Sequence, residues 1–559
     1  MHPKKLILDY VYDNEAAQPD AVLLVQPTGN GEVIEFTWGQ VLDQSRRMAA
    51  YLQSLELAPG ARVAMLAKNS AHFVMAELAI WMAGGTTVAI FPTETAANIQ
   101  YVLEHSEASM LFVGKLDTWE QQIAGVPAGL PRIALPLSAD FDSVSWEPIV
   151  ARTQPLQGRP QRLAADLAML LYTSGSTGHP KGVMQNFGTI TATIEAGMSD
   201  PAIQLPDGVE RRVMSYLPLA HAYERAVIAC RMLVEGQGRI YFGESLATFV
   251  DDIKRARPTV FYSVPRLWLK FQQSAQAAVG AEQLETALAD PSRAPIIGKK
   301  VLQGLGLDEV RLALSASAPL SPELMQWYRR LGLNLLEGYG MTEDFAYSHR
   351  TTLEFNTPGH VGIALTGVQA RIDNDGEILI KSPGQMAGYY KRPDLNEEVF
   401  TEDGFFRTGD LGVRSEDGQL RLTGRKKELF KTAKGKYVAP APIETKLQAS
   451  PLVELAMVSG VGKPAAYGAL ILAEQLRPQM GDTAVRARAK AGLTQLLEDV
   501  NTQLAQHERL QFLVVLSEPW TTENGMLTPT LKIKRSRIEE SVASHLDAWY
   551  AIEAPVIWD

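Results

Sequence analysis

At 559 residues the chain is too long for a single hydrophobic core, so two or more domains are expected. A hydrophobic content of 46% with 21% charged residues is that of a soluble globular protein and excludes a disordered or fibrous one. The net charge of −10, with no long basic block, argues against nucleic acid as the main partner and leaves anions to local basic pockets.

The single cysteine, Cys230, excludes an internal disulfide and fits a reducing compartment such as the cytoplasm. Its apolar neighbours, Ala226 to Ala229, make it a buried small hydrophobe rather than a reactive thiol. Met1-His2-Pro3-Lys4-Lys5 lacks the apolar core of a signal peptide. The longest apolar region, Ala76 to Pro92, contains Glu77 and is broken by Gly84-Gly85. It reads as helix, turn and strand, so any membrane contact is expected to be peripheral.

In chain order, Val22–Val25 and Arg62–Leu66 read as strands, and Trp38 to Leu57 as an amphipathic helix with Val41, Leu42, Met48, Ala49 and Leu52 on one face. Thr86 to Pro92 is another strand. Strands separated by helices predict parallel α/β layers.

The apolar run Leu167–Leu171 predicts a buried strand, and Tyr172-Thr173-Ser174-Gly175-Ser176-Thr177-Gly178-His179-Pro180-Lys181-Gly182-Val183 follows it. From Thr173 to Gly178, four hydroxyl residues and two glycines fill six positions. Such a turn leaves N–H groups and hydroxyls free to converge on an anion, most often phosphate. Pro180 fixes the exit and Lys181 supplies a cation. A flexible Ser/Gly loop is the plain alternative. The Walker spacing is absent, since Gly182 follows Lys181.

This run resembles the phosphate-binding loop of the adenylate-forming superfamily, which holds acyl-CoA synthetases, luciferases and peptide-synthetase adenylation domains. The resemblance implies a large N-terminal domain of layered parallel α/β subdomains with a β-barrel-like part, and a small mobile C-terminal α+β domain. It implies ATP and Mg²⁺ at the loop, through Thr173, Ser174, Gly175, Ser176, Thr177, Gly178 and Lys181, with Thr177 a metal ligand.

Met214 to Arg225 contains Pro218-Leu219-Ala220-His221-Ala222-Tyr223-Glu224-Arg225. A lone histidine among apolar residues is usually a packing or capping residue. Here the run resembles the Pro-Leu-x-His motif of long-chain acyl-CoA synthetases, which implies that His221 lines the junction of nucleotide and acyl pockets. Phe261 to Trp268 is aromatic-rich and reads as core or as the lining of an apolar tunnel.

Arg311 to Leu320 reads as a strand ending in a small-residue turn, and resemblance implies that Ser317 and Ala318 edge an adenine. In Glu337-Gly338-Tyr339-Gly340-Met341-Thr342-Glu343 the flanking glycines free a tyrosine ring to stack on a planar base. Thr342 can bind a phosphate oxygen, and Glu343 is a hard oxygen ligand suited to Mg²⁺. Thr408-Gly409-Asp410, at the end of a strand, can hold two ribose hydroxyls.

Asp417-Gly418 makes a turn before the strand Leu420–Leu422, and Thr423-Gly424-Arg425-Lys426-Lys427 follows. Resemblance makes Arg425 a ribose or phosphate ligand and Lys427 the hinge, dividing the chain into 1–425 and 426–559. It also implies that the loop around Gly435 helps form a thioester site with CoA. Leu452 to Val461 and Ala469–Leu472 read as strands, and Arg486 to His507 as a helix. The last motif, Leu527-Thr528-Pro529-Thr530-Leu531-Lys532-Ile533-Lys534-Arg535, is similar to the long-chain subgroup's ending. Many relatives carry Ser-Gly before the catalytic lysine, and this chain does not. Aligning Lys-Ile-x-Arg gives Lys532, and Lys534 competes.

The resemblance as a whole implies a ligase that activates a medium- to long-chain fatty acid as acyl-AMP and passes it to CoA. A ligase that loads a carrier protein, a ligase for another acid and a catalytically inactive binding protein on the same fold are the rivals.

Overall fold

The computed structural model describes residues 5–141, 143–173 and 179–559. Among them, an eight-stranded sheet is built around parallel strands. Thr86–Ile90 pairs in parallel with both Arg62–Leu66 and Leu167–Thr173. The edge is antiparallel, with Lys181–Asn186 returning on Leu167–Thr173 and Gly388–Tyr389 closing on Lys181–Asn186. A second sheet places Val260–Ser263, Leu312–Ser315 and Leu335–Tyr339 side by side in parallel. A third joins Arg212–Ser215, Arg239–Phe242 and Val22–Gly29 in parallel. These are the expected α/β layers.

Local chemistry sets the helices. Trp38–Ser54 opens on a capping box in which Thr37 Oγ1 accepts from Gln40 N at 3.3 Å and Gln40 Oε1 accepts from Thr37 N at 2.9 Å. All five residues assigned to its apolar face are buried. Ala71–Met82 starts where Ser70 Oγ accepts from Phe73 N at 3.2 Å, and it is buried on every side. Gly84, at φ +90°, then turns the chain into the strand Thr86–Ile90. Ala76–Pro92 is thus helix, turn and strand, and no described helix is long and apolar enough to cross a membrane.

Where a barrel-like part was expected, four antiparallel strands form a sheet: Gln369–Ile372, Glu377–Lys381, Phe406–Arg414 and Leu420–Arg425. A short helical turn, Lys426–Glu428, follows it. Beyond that turn, Val453–Ser459, Ala466–Leu472, Leu510–Val515 and Val556–Trp558 make a smaller sheet with its own apolar clusters on both faces. Its long helix, Thr483–Thr502, begins earlier than the sequence suggests because Asp482 Oδ1 accepts from Ala484 N at 2.7 Å. Arg266 of the larger part reaches Glu454 of the smaller one, and Arg477 Nη2 donates to the other oxygen of Glu454 at 2.6 Å.

Candidate functional site

The Ser/Gly run connects two antiparallel strands, and its ends, Thr173 and Lys181, are register partners. Ser174, Gly175, Ser176, Thr177 and Gly178 lie outside the described residues. The Lys181 ammonium sits 5.0 Å from the centre of the Tyr389 ring. Burial, then the positive charge of Lys427, lowers the Lys181 pKa.

Tyr389 in turn donates its hydroxyl to Glu343 Oε1 at 2.7 Å. Glu343 lies in the tight turn Thr342–Asp344 beyond the strand Leu335–Tyr339. Asp344 closes that turn, its Oδ1 accepting from the amides of Met341 at 2.8 Å and Tyr347 at 3.1 Å. Burial pushes the Asp344 carboxyl up to about 7. The Thr342 carbonyl accepts from Gln185 Nε2 at 3.1 Å. Only glycine fits at position 340, since a Cβ there would stand 2.7 Å from the Ala346 carbonyl carbon. Lys181 and the acidic turn are therefore neighbours, with Tyr389 between them.

Asp410 is not at a strand end. It lies within Phe406–Arg414, just before the register shifts between Leu411 and Gly412. Its Oδ2 accepts from the Tyr339 hydroxyl at 2.7 Å and its Oδ1 from Arg425 Nε at 2.6 Å. The Tyr339 ring is thus oriented by its hydroxyl rather than left free between its glycines. Asp410 raises the Arg425 pKa further. Each carboxylate oxygen keeps a second lone pair for another donor. Ser317 follows the strand Leu312–Ser315 at φ +73°, a left-handed conformation that turns Ala318 to the surface.

Glu337 is turned inward instead. It is buried, and its Oε1 accepts from Leu320 N at 2.9 Å. Burial pushes its carboxyl from 4.5 up to about 8, against that hydrogen bond. Between those values the folded chain holds a proton that the unfolded chain releases. Stability therefore falls as pH rises through that window, and Asp344 and Glu224, pushed up to about 7 and about 8, act in the same direction. The Glu337→Gln variant, which mimics the protonated acid, is expected to lose less stability than the parent between mildly acidic and alkaline pH. Denaturant midpoints across that range check this, and equal slopes would contradict it.

His221 caps the short helix Ala222–Glu224, its Nδ1 accepting from Tyr223 N at 3.1 Å. That bond leaves the proton on Nε2, and burial, helped by Lys532, drives the ring's pKa down to about 3. His221 is a neutral donor. Next to it Arg225 is fully buried and paired with Glu77, while its Nε donates to the Leu219 carbonyl at 2.8 Å. Burial pushes the Glu77 carboxyl up inside an otherwise apolar helix, and Arg225, paired with it, pulls it back down. Phe261 and Trp268 belong to an apolar cluster with Trp327 and Tyr328.

Lys532 comes from the smaller part of the chain into this cleft. Thr528 Oγ1 accepts from Lys532 N at 3.1 Å, and Leu531 sits at φ +59°. Burial and then Arg425 lower the Lys532 pKa, while Asp410, Glu428 and Glu343 pull it back up. The side chain nonetheless keeps contact with solvent, so it stands in a crowded, open cleft rather than a sealed core. Lys534 instead acts on Glu94, which accepts from Asn98 Nδ2 at 2.7 Å. Gly435, at φ +75°, turns the hairpin Phe430–Lys431 to Tyr437–Val438.

Two contact chains, Lys181–Tyr389–Glu343 and Tyr339–Asp410–Arg425, are bridged by Lys532, whose charge bears on Arg425, Asp410, Glu343 and His221, while Lys427 bears on Lys181. Among the described residues no three His, Cys, Asp or Glu side chains cluster as a metal cage. Glu343, joined to Lys181 through Tyr389, has the hard oxygen chemistry that fits Mg²⁺, an ion that takes few protein carboxylates and completes its shell with phosphate and water. Sequence reasoning missed Tyr389, Asp344 and the Glu77–Arg225 pair. The only signal for Tyr389 is Gly388 before it, at φ +136°, in a strand two residues long.

Two family patterns match the chain: "AMP-binding enzyme" over residues 11–390 and "AMP-binding enzyme C-terminal domain" over residues 428–554. The long-chain-fatty-acid–CoA ligase FadD15 of Mycobacterium bovis is 31% identical, over 97% of this chain and 96% of its own. Fatty acyl-CoA synthetase A of Dictyostelium discoideum is 28% identical over 93% and 86%. The A domain of carboxylic acid reductase from Segniliparus rugosus, solved with AMP and a carboxylic acid, superposes with a TM-score of 0.82 over 98% and 94% of the two chains at 21% identity, a likeness of fold.

Proposed function

Because this chain belongs to the family of AMP-binding enzymes, we propose that it is an ATP-dependent ligase that activates a medium- to long-chain fatty acid and transfers it to CoA. The observation that carries this reading is that Lys532 bears electrostatically on Arg425, Asp410 and Glu343, of which Arg425 pairs with Asp410 and Glu343 is joined to Lys181 through Tyr389. The names of the full-length relatives support the choice of acid and of acceptor.

A carboxylate is a poor electrophile until its oxygen is given a better leaving group. Its oxygen attacks the α-phosphorus of ATP, the bond to the β-phosphate oxygen breaks, and pyrophosphate leaves an acyl-adenylate. The CoA sulfur then attacks the acyl carbon, and AMP departs with the C–O bond's electrons. Such steps depend on positioning and charge neutralisation. Lys181 and Lys532 hold phosphate charge, and Asp410 with Arg425 orients the ribose. Tyr339 backs the base, Thr342 reaches a phosphate oxygen, and Ser317 and Ala318 edge the adenine. His221, neutral and donating from Nε2, borders the acyl carboxylate. Mg²⁺, when bound at Glu343, supplies charge neutralisation to the leaving pyrophosphate. We further infer a division into 1–425 and 426–559 with Lys427 as pivot, Gly435 on the CoA side, and work in the cytoplasm with at most peripheral membrane contact.

The test is purified protein with ATP, Mg²⁺ and acids from acetate to oleate, with and without CoA, read for pyrophosphate, AMP and thioester. Acyl-CoA formed from the longer acids alone is the expected result. Pyrophosphate without CoA thioester would instead favour a carrier-protein acceptor. No turnover with any acid, together with no ATP binding by calorimetry, would overturn the ligase reading.

A further inference from the structure

Resting on that reading, we propose that Tyr389 is a positioning residue that sets the phosphate lysine and the metal-site glutamate at a fixed separation. Two faces of one side chain do this. The ring lies 5.0 Å from Lys181 Nζ, and the hydroxyl donates to Glu343 Oε1 at 2.7 Å. The ring's negative face attracts the ammonium without neutralising it, so the charge remains available to a phosphate. The hydroxyl occupies one oxygen of Glu343 and fixes the carboxylate plane, so that the second oxygen has one direction to present to a cation.

The backbone around Tyr389 is held from three sides, which is what a spacer requires. Its amide donates to Asn396 Oδ1 at 2.7 Å, and Asn396 Nδ2 donates back to the Tyr389 carbonyl at 3.2 Å. Tyr390 N donates to the carbonyl of Gly182 at 2.8 Å, tying the segment to the strand that begins at Lys181. Met386 N donates to the carbonyl of Glu343, also at 2.8 Å, tying it to the acidic turn. The ring is 5% exposed, so it has little room to leave this position. Without such a spacer the lysine and the carboxylate would pair directly, and each would be withdrawn from the ligand it serves.

The two contacts can be removed separately. Tyr389→Phe keeps the ring and loses the hydroxyl; Tyr389→Leu loses both. Calorimetry of ATP binding with no acid present, with and without Mg²⁺, reads them apart without turnover. In Tyr389→Phe, metal-free ATP binding is expected to match the parent, while half-saturating Mg²⁺ rises about tenfold, the scale of one hydrogen bond to a charged group. Tyr389→Leu is expected to weaken metal-free ATP binding as well, by about fivefold for a lost cation–ring contact. Parental Mg²⁺ dependence in Tyr389→Phe would overturn the proposal, as would equal weakening of both ligands in both variants. A parent protein that binds no ATP would instead overturn the functional reading beneath it.

Discussion

Lys532→Ala slows acyl-adenylate formation by about 10²–10³-fold, the effect of removing one preorganised charge that acts mainly in the transition state. Lys534→Ala leaves that rate within a few-fold of the parent. The contrast comes from where the two side chains act. Lys532 feels Arg425, Asp410, Glu428 and Glu343 and itself depresses His221, so it bears on the residues proposed to hold the nucleotide and on the one proposed to border the acyl group. Lys534 acts on Glu94, away from those groups, and its backbone opens the helix Arg535–Val542. Burial and Arg425 lower the Lys532 pKa, and the nearby carboxylates Asp410, Glu428 and Glu343 oppose that shift. Single-turnover release of pyrophosphate measures the effect, with thermal unfolding as the control for folding. A larger loss in Lys534→Ala than in Lys532→Ala would reverse the assignment.

The choice between these lysines shows what a sequence can and cannot carry. The missing Ser-Gly left the two registers open, because spacing alone fits either. Backbone conformation separates them: Leu531 takes φ +59°, the left-handed region in which glycine is at home. That conformation fits the place of the relatives' glycine and so supports Lys532, the lysine after it, as the one we propose to be catalytic. A side chain in that conformation carries strain of roughly 1 kcal/mol or more, and Leu531 is also about half exposed.

Elsewhere the sequence was legible wherever one element satisfied itself. Trp38–Ser54 has its cap, its apolar face and its end in one stretch, so periodicity found it. Cys230 is buried as its neighbours suggested. What escaped depends on partners far along the chain. Glu77 looked like a break in an apolar run, and Arg225, 148 residues away, explains it. Asp410 read as lying at a strand end, but it sits within a strand, bound by Tyr339 and Arg425. The glycines around Tyr339 suggested a free ring, and the restraint comes from a hydroxyl that periodicity does not register. Tyr389 has no pattern of its own, since a two-residue strand has no period.

Lys427→Pro separates the two half-reactions: acyl-adenylate forms at close to the parental rate, and thioester formation falls by about 10²-fold or more, as expected when a positioning motion is blocked. Lys427 sits in the short turn Lys426–Glu428, directly after the strand that ends at Arg425. Proline fixes φ in the range of such a turn, and no backbone hydrogen bond among those described depends on the Lys427 amide. The arrangement described here keeps the charge of Lys532 bearing on Arg425, Asp410 and Glu343, which is what the proposed role of Lys532 in adenylation requires. A second orientation of the smaller part would require new dihedrals at the turn, and it would have to part Arg266 from Glu454. Arg477, bonded to the other oxygen of Glu454 at 2.6 Å, belongs to the smaller part and would remain its partner, so the glutamate would not be left uncompensated. The substitution also removes a positive charge beside Lys181, which raises the Lys181 pKa and acts on ATP rather than on CoA. Lys427→Ala controls for that charge, since it removes the ammonium and leaves the backbone free. Loss of thioester formation in the proline variant alone assigns the effect to the pivot. Equal loss of both half-reactions, or equal loss in the two variants, would mean that Lys427 serves the nucleotide and that the chain turns elsewhere.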